Sequence, residues 1–399
     1  MDYLSLEALV EKPISGEWGT GDGVINVIRS ANFTNHGRIS FDKIVARNIP
    51  DNKVKTKKLQ EDDIIIEKSG GSPTQPVGRV VFFDQKGTYL CSNFTSILRP
   101  RKQYVAPKYL HYILFCNHKY GYVEKYQNKT TGIINLQLQE YLKNTKIPLP
   151  PLPEQQKIAS ILDAADNLRQ KDQQLIEKYT ALSQSLFLEM FGDPVSNPMG
   201  WDKIELEEIA DIVSGVTKGR KLKSKANLNI PYMRVANVQD GHLNLQEIKT
   251  IPGTEEDIQK FGLHKGDILL TEGGDPDKLG RGTVWNDEIE NCIHQNHIFR
   301  VRLLCNKSTP IYLSKLCGSE YGKRYFLKLG KQTTGIASIN KTQLRKFPVL
   351  RPPINLQNQY AERILAIEAQ KQLALAGLEK SEALFNSLLQ RAFKGELTV

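Results

Sequence analysis

The 399-residue chain lacks long apolar runs and has few cysteines. Apolar stretches such as Val80–Phe83 are far shorter than the roughly 20 residues that cross a bilayer, so we expect no membrane span. The five cysteines contain no Cys-x-x-Cys pair, and their odd number argues against a disulfide framework. The acidic start Met1–Glu7 has no signal-peptide apolar core. These absences predict a cytoplasmic protein in a reducing compartment.

Catalytic signatures are missing as well. The sequence has neither a P-loop of the form GxxxxGK[ST] nor the Asp/Asn-Pro-Pro-Tyr/Phe motif that amino-methyltransferases carry. Cys292, His294 and His297 resemble metal ligands, but the stretch that we align with them, Cys91 to Phe94, contains no histidine. We therefore interpret them as half-buried strand residues, and we expect no metal and no cofactor on this chain.

The chain has an excess of basic over acidic residues in a composition that is otherwise typical of globular proteins. It carries 54 lysines and arginines against 44 acidic residues, a net charge of +10, with 40% apolar and 25% charged residues. This excess favours a polyanionic partner. The length suits two to four domains.

An internal duplication is the most informative feature of the sequence. Tyr109-Leu110 recurs as Tyr312-Leu313, and Thr130-Thr131-Gly132 recurs as Thr333-Thr334-Gly335, at the same offset of 203 residues. The chain therefore contains two copies of one unit of about 200 residues and is predicted to be pseudo-twofold. Further segments align in the same order: Ile28–Asn32 with Met233–Asn237, Leu59–Ile64 with Leu263–Ile268, Gly70-Gly71 with Gly273-Gly274, and Pro150–Leu152 with Pro352–Ile354.

Each copy begins with short β-like runs and turns and ends in a long helical segment. The first long helix is predicted from Glu154 to Met190 and the second from after Pro353 to about Phe393, each with one apolar stripe broken by polar residues. Since each narrow stripe needs a partner, we expect the two helices to pair. The other local predictions are strands at Ile64–Ile66, Val80–Phe83, Ile268–Leu270 and Ile298–Leu303, loops at Gly70–Pro73 and Gly273–Pro276, and a helix from Pro107 to about Asn117.

Three segments carry a resemblance to a known family: Ile147–Ala159, Glu189–Pro194 followed by Gly200-Trp201, and Gln390–Leu397. Over nearly its whole length the chain resembles the specificity subunit of type I restriction–modification systems. In the second copy, Ile354–Gln359 replaces the Leu-Pro-Glu-Gln-Gln-Lys of the first, and we expect Asn355 to cap that helix.

The resemblance implies an α+β protein with two similar target-recognition domains built on β-sheets, at 1–153 and 193–353. Two long antiparallel helices, 154–192 and 354–399, would form a coiled coil and separate them. Such a chain is a non-catalytic DNA-specificity subunit that recognises an asymmetric bipartite site in double-stranded DNA. It assembles with two modification (methyltransferase) subunits and with restriction (motor-nuclease) subunits, and S-adenosylmethionine, ATP and Mg²⁺ would bind to those partners.

Physical reasoning supports two readers on one chain. A small domain reaches only a few base pairs in the major groove, so one domain recognises only a short base sequence. Because each mismatched base pair costs about 1–3 kcal/mol, two such half-sites together give much higher specificity than one. A helix from Glu154 to Met190 spans roughly 55 Å at 1.5 Å per residue, which limits the spacing between the half-sites.

Two polar pairs recur in both copies, Arg29 with Asn32 and Arg234 with Asn237. Arginine suits guanine and asparagine suits adenine, so these pairs are candidates for base or phosphate contact. The alternative is a structural pair that bonds the backbone of a turn. Recurrence favours this alternative, because residues that read different words should differ between the copies.

Three further groups of residues are candidates for DNA contact. The Thr-Thr-Gly segments suit a phosphate grip, although a helix-terminating turn would have the same composition. A basic run in the second copy suits phosphate contact or a solvated face, and the Gly-rich loops, which differ between copies, are preferred for base readout. These groups comprise Lys129, Thr130, Thr131, Thr333 and Thr334; Lys218, Arg220 and Lys221; and Lys68, Ser69, Arg79, Lys278 and Arg281.

Two other functions are compatible with the sequence. One is a coiled-coil scaffold that binds proteins without reading DNA. The other is a DNA-cleaving enzyme in which Asp51, Asp84 and Lys86 hold Mg²⁺ near a phosphodiester, although their spacing is loose.

Overall fold

The repeat in the sequence also divides the fold. The computed structural model describes residues 2–72, 74–130, 133–220, 228–274, 279–333 and 336–397. Internal contacts define two units, Met1–Leu175 with Ala374–Val399 and Ile176–Leu373, which we call unit 1 and unit 2. The end of the second long helix therefore belongs to unit 1, and its beginning belongs to unit 2.

Unit 1 alternates short strands with short helices before its long helix. Its helices are α1 Leu6–Leu9, α2 Asp51–Lys57, α3 Pro107–Lys119, α4 Leu138–Asn144 and α5 Leu152–Phe191, the last of which continues into unit 2. Its strands are β1 Asp2–Ser5, β2 Ile14–Ser15, β3 Thr20–Ile28, β4 Val45–Asn48, β5 Ile64–Glu67, β6 Ser69–Gly71, β7 Val80–Phe82, β8 Tyr89–Cys91, β9 Thr95–Leu98, β10 Gln127–Thr130, β11 Ile133–Leu136 and β12 Lys146–Leu149.

Four small sheets make up unit 1, with strand orders β2-β9-β5-β7, β4-β3-β8, β10-β11-β6 and β1-β12. Strand β5 is central and fully buried, as its run of three isoleucines predicts. Helix α3 begins with Pro107 in its first turn and buries Tyr109, Leu110, Ile113 and Leu114 against this core. The strand and helix predictions for this unit are therefore confirmed within one or two residues.

Unit 2 repeats the order of the strands, but a 3₁₀ turn at Leu206–Glu208 stands in place of α1, and an α-helix at Glu320–Leu329 stands in place of the 3₁₀ turn Glu124–Tyr126. Its helices are α6 Glu255–Phe261, α7 Pro310–Gly318, α8 Glu320–Leu329, α9 Lys341–Arg345 and α10 Ile354–Lys394, the last of which ends in unit 1. Its strands are β13 Lys203–Glu205, β14 Ala210–Ser214, β15 Leu228–Met233, β16 Lys249–Gly253, β17 Ile268–Thr271, β18 Gly273–Gly274, β19 Gly282–Val284, β20 Ile293–His294, β21 Ile298–Leu303, β22 Lys331–Thr333, β23 Ile336–Ser338 and β24 Pro348–Leu350.

The sheets of unit 2 match those of unit 1 strand for strand. Their orders are β14-β21-β17-β19, β16-β15-β20, β18-β23-β22 and β13-β24. The predicted duplication and the mixed α/β class with two repeated domains are therefore confirmed. Of the helices in the described part of the chain, none combines the length and apolar character that a membrane crossing requires. All five cysteines are free.

The two long helices pack antiparallel within each unit. In unit 1 the first part of α5 shares a core with the end of α10 through Ile158, Leu162 and Phe385. In unit 2 the ring of Phe187, near the end of α5, lies 5.7 Å from that of Tyr360, near the start of α10. The polar residues that interrupt the two apolar stripes also contact each other. Ser381 Oγ on α10 donates to Asp172 Oδ2 on α5 at 2.7 Å.

Glycines end both helices in the same way. Gly192 follows α5 with φ 74° and Gly395 follows α10 with φ 69°, a left-handed conformation that favours glycine after a helix. The indole N–H of Trp201 donates to the carbonyl of Phe191 at 2.9 Å, which caps α5. The glycines and the tryptophan of the family segments therefore have a structural role.

Helix α5 begins at Leu152, two residues before the predicted Glu154, because a proline in the first turn loses no helical hydrogen bond. Other local predictions were wrong. Asn355 is not a cap but the second residue of α10. The glycines predicted to form loops lie in strands β6 and β18, since each pairs with a hairpin far along the chain; Pro73 and the residues 275–276 lie outside the described residues.

Candidate nucleic-acid interface

The backbone just after the central strand of unit 1 is held on both sides. The N–H of Lys68 donates to the carbonyl of Phe94 at 2.9 Å, and the carbonyl of Lys68 accepts from the N–H of Leu136 at 2.8 Å. The first contact ties β5 to the turn between β8 and β9, and the second ties it to the hairpin β10–β11. We call Lys68, Ser69 and Phe94 the strand-end site of unit 1.

Unit 2 holds the equivalent backbone in the same way. The N–H of Glu272 donates to the carbonyl of His297 at 3.0 Å, and its carbonyl accepts from Ile339 at 2.9 Å. Glu272, Gly273 and His297 therefore form the strand-end site of unit 2. Because the two backbones are fixed alike, the difference between the sites lies in their side chains.

The side chains of the first strand-end site are cationic and aromatic. Lys68 Nζ donates to Ser15 Oγ, and burial lowers the pKa of this lysine. Ser69 Oγ donates to Asn135 Oδ1 on β11. Phe94 leaves 49% of its surface exposed in the turn between β8 and β9.

The second strand-end site has an acid, Glu272, where the first has Lys68. His297 Nδ1 lies 2.7 Å from Glu272 Oε2, and Asn296 Nδ2 lies 3.5 Å from His297 Nε2. The side chain of His297 is 56% exposed and that of Glu272 is 30% exposed. Neither Glu272 nor Phe94 was among the predicted candidates, and the interpretation of His297 as a half-buried strand residue was wrong, because it lies exposed in the turn before β21. Comparing the residues that directly follow the two buried central strands, β5 and β17, would have found Glu272.

The described threonines of the Thr-Thr-Gly segments lie in β-strands rather than at helix ends. Lys129 and Thr130 belong to β10, and Thr333 belongs to β22. Strand β6, which contains Ser69, pairs with β11 of the same hairpin, so the hairpin borders the first strand-end site. Thr131 and Thr334 lie outside the described residues.

The predicted basic run is only partly available for phosphates. Lys218 is exposed, whereas Arg220 pairs with the buried carboxylate of Asp257. Lys221 and Lys278 lie outside the described residues. Lys218 therefore remains the described candidate of this run.

Arg79, predicted to read DNA, is tied into the fold. Its Nε and Nη2 donate to the two carboxylate oxygens of the buried Glu67, each at 2.9 Å. Its Nη2 also donates to the carbonyl of Ser30 at 3.1 Å. Arg281 lies at the equivalent position in unit 2, but there Thr271 replaces the glutamate, so the same ion pair cannot form.

The asparagines of the recurrent Arg-Asn pairs have a structural role. Asn32 Oδ1 accepts from the N–H of Arg29 at 3.0 Å, and its Nδ2 donates to the carbonyl of Ser40 at 3.2 Å. In unit 2 the N–H of Arg234 makes the same 3.0 Å contact with Asn237 Oδ1. Both asparagines are buried and close a 3₁₀ turn, so their amides cannot reach a base.

The structure provides no grounds for a metal at the histidines. His294 is buried, and its Nδ1 and Nε2 lie 3.0 and 3.2 Å from backbone carbonyl oxygens. Burial lowers its pKa to about 4. Within the described ranges, no group of three or more His, Cys, Asp or Glu could hold a metal ion. His294 also occupies the position of Cys91, not Asn93, because each pairs with the corresponding strand of its unit.

Known proteins are similar to this chain in sequence and in fold. The sequence profile of the type I restriction modification DNA specificity domain matches residues 18–178 and 198–379. The StySPI type I restriction enzyme specificity subunit of Salmonella potsdam is 26% identical over 408 residues, covering 94% of this chain and 83% of the relative. The EcoKI specificity subunit of Escherichia coli strain K12 is 25% identical, with the same two coverages of 94% and 83%. A crystal structure of the S subunit of a type I restriction–modification system from M. genitalium aligns with a TM-score of 0.60, covering 98% of this chain and 96% of that chain, at 16% identity.

Proposed function

The chain belongs to the family of type I restriction–modification DNA specificity subunits, and on that premise we propose that each unit reads one half of a split site in double-stranded DNA. The observation that carries this proposal is the pair of strand-end sites. Their backbones are held by equivalent hydrogen bonds, whereas their side chains differ in charge and shape. A shared scaffold with unlike exposed side chains is what two readers of different words require.

The unlike side chains further imply an asymmetric site. Identical readers related by symmetry would recognise a palindrome, whereas Lys68 with Phe94 and Glu272 with His297 present different hydrogen-bonding groups. The features that the two units do share, such as the buried Asn32 and Asn237, stabilise the fold instead.

In this proposal the chain itself is not an enzyme. It recognises DNA in the cytoplasm and assembles two modification subunits, which bind S-adenosylmethionine, and restriction subunits, which use ATP and Mg²⁺. The long helices offer surfaces for such partners. Leucines on α10 are exposed within unit 2, Leu365 at 58% and Leu373 at 67%.

Reconstitution tests this function. The purified chain, the modification subunits and their combination are incubated with S-adenosylmethionine and genomic DNA, and methylated positions are mapped. We expect methylation only in the combination, and only at one split sequence. Methyl transfer by the chain alone would contradict the non-catalytic assignment.

A binding measurement separates a reader from a scaffold. Rising salt screens the phosphate contribution, which is independent of sequence. We expect the complex to prefer the mapped site over random duplex by about 10³-fold or more at physiological salt. Equal affinity for the two duplexes at every salt concentration would favour a scaffold without readout.

A further inference from the structure

Glu272 places negative charge where unit 1 has a lysine. Lys68 in unit 1 and Glu272 in unit 2 each directly follow the central strand, and the same pair of backbone hydrogen bonds fixes both. On a surface that faces DNA, a carboxylate is repelled by phosphates and lowers affinity for any sequence. Such an acid favours binding opposite a donor on a base edge. In the major groove cytosine N4 and adenine N6 carry amino groups, and cytosine N4 is the usual partner of Glu and Asp.

His297 holds this carboxylate in one orientation. With its Nδ1 carrying the proton, the imidazole donates to Glu272 Oε2 at 2.7 Å. A carboxylate has about four lone-pair sites, so it can accept from a base as well. Both side chains are partly exposed, at 30% and 56%, so a base edge can approach them.

We propose that Glu272, positioned by His297, accepts a hydrogen bond from a base amino group and sets a preference for cytosine at one position of the half-site of unit 2. Lys68 at the equivalent position donates to guanine O6 or N7 and sets a preference for guanine in the other half. This inference rests on the proposed function, in which each unit reads its own half-site.

The test uses the full chain in complex with its modification subunits. Methylation is measured on a library in which every position of the mapped site is randomised in turn. For Glu272→Gln we expect the preference for cytosine at one position of one half to fall by about 10-fold or more, with all other positions unchanged. His297→Phe, which introduces the residue type found in unit 1, should weaken the preference at that same position.

Glu290→Gln is the matched control. Glu290 is an exposed acid in the loop between β19 and β20, and this loop lies at the far end of β17 because Val284 pairs with Ile268. Glu290→Gln removes the same charge as Glu272→Gln but does so away from the strand-end site. We therefore expect it to leave every base preference unchanged. Lys68→Gln should alter one position in the other half only.

The outcomes separate the two levels of the proposal. If the unsubstituted complex methylates no split site, the proposed function itself fails. If it does, while Glu272→Gln and His297→Phe leave every preference unchanged, the role of Glu272 is overturned. A loss of methylation that is uniform across all sequences would also overturn it, because it would show that Glu272 supports the fold or general DNA affinity.

Discussion

Replacing Gln357 with leucine is expected to destabilise unit 2 by about 3–5 kcal/mol, because several buried polar groups lose their partners together. Gln357 is fully buried. Its Oε1 accepts from the N–H of Thr309 at 2.9 Å, and its Nε2 donates to the carbonyl of Pro352 at 2.8 Å. The side chain thus ties the start of α10 to the start of α7, and leucine has the right size but none of these hydrogen bonds.

Gln155 makes the equivalent buried hydrogen bonds in unit 1, and we call this arrangement the glutamine clamp. Gln155→Leu should therefore destabilise unit 1 by a similar amount. Gln155 Oε1 accepts from the N–H of Ala106 at 2.9 Å, and its Nε2 donates to Pro150 at 2.8 Å. Denaturant unfolding followed by circular dichroism measures both losses. Gln156→Leu and Gln359→Leu are the controls, since these neighbours are exposed and should change stability by less than about 0.5 kcal/mol. Equal effects of the buried and exposed substitutions would contradict the clamp.

Asp267→Ala is expected to cost about 2–4 kcal/mol, because it leaves a largely buried guanidinium without its counter-charge. Asp267 is 2% exposed and receives two hydrogen bonds from Arg302, from Nε and Nη2, each at 2.7 Å. The carboxylate raises the pKa of Arg302. The guanidinium stays charged even when this partner is removed, because arginine does not lose its proton in proteins. Arg302 is 29% exposed, and solvent therefore reduces the loss below that of a fully buried pair.

A double substitution distinguishes an unpaired charge from a simple cavity. Asp267→Leu with Arg302→Met removes both charges and keeps most of the volume, so it should recover part of the stability that Asp267→Ala loses. Thermal unfolding of the three proteins measures this. Asp63 and Arg99 form the equivalent pair in unit 1, at 2.8 and 2.9 Å, and the same substitutions there should rank in the same order. A double variant less stable than Asp267→Ala would contradict this explanation.

Local pattern and duplication predicted most of the architecture. The buried strands β5 and β17 follow from short apolar runs, and the helix that begins at Pro107 and the two long helices follow from helical periodicity. Both are local properties of the sequence. The recurrence of Tyr109 as Tyr312 also has a clear cause, because each hydroxyl donates to a backbone carbonyl, of Pro148 at 3.0 Å and of Leu350 at 3.1 Å.

Contacts between distant segments could not be predicted in this way. Arg79 looked available for DNA because nothing in its neighbourhood shows that Glu67 would point inward beside it. The glycines of β6 looked like a loop because their partner strand, β11, lies about 60 residues further on. Copies of a duplicated fold nevertheless offer one guide: the residues they share here bond to the scaffold, whereas the exposed positions where they differ are candidates for readout.

The most direct test of two separate readers is to exchange residues 193–353 for the corresponding segment of a relative with a different target and to map methylation by the reconstituted complex. The exchange replaces Glu272 and His297 and leaves Lys68 and Phe94 in place. We predict that one half of the methylated sequence changes to that of the relative and that the other half stays as it was. Simultaneous change of both halves would contradict the account.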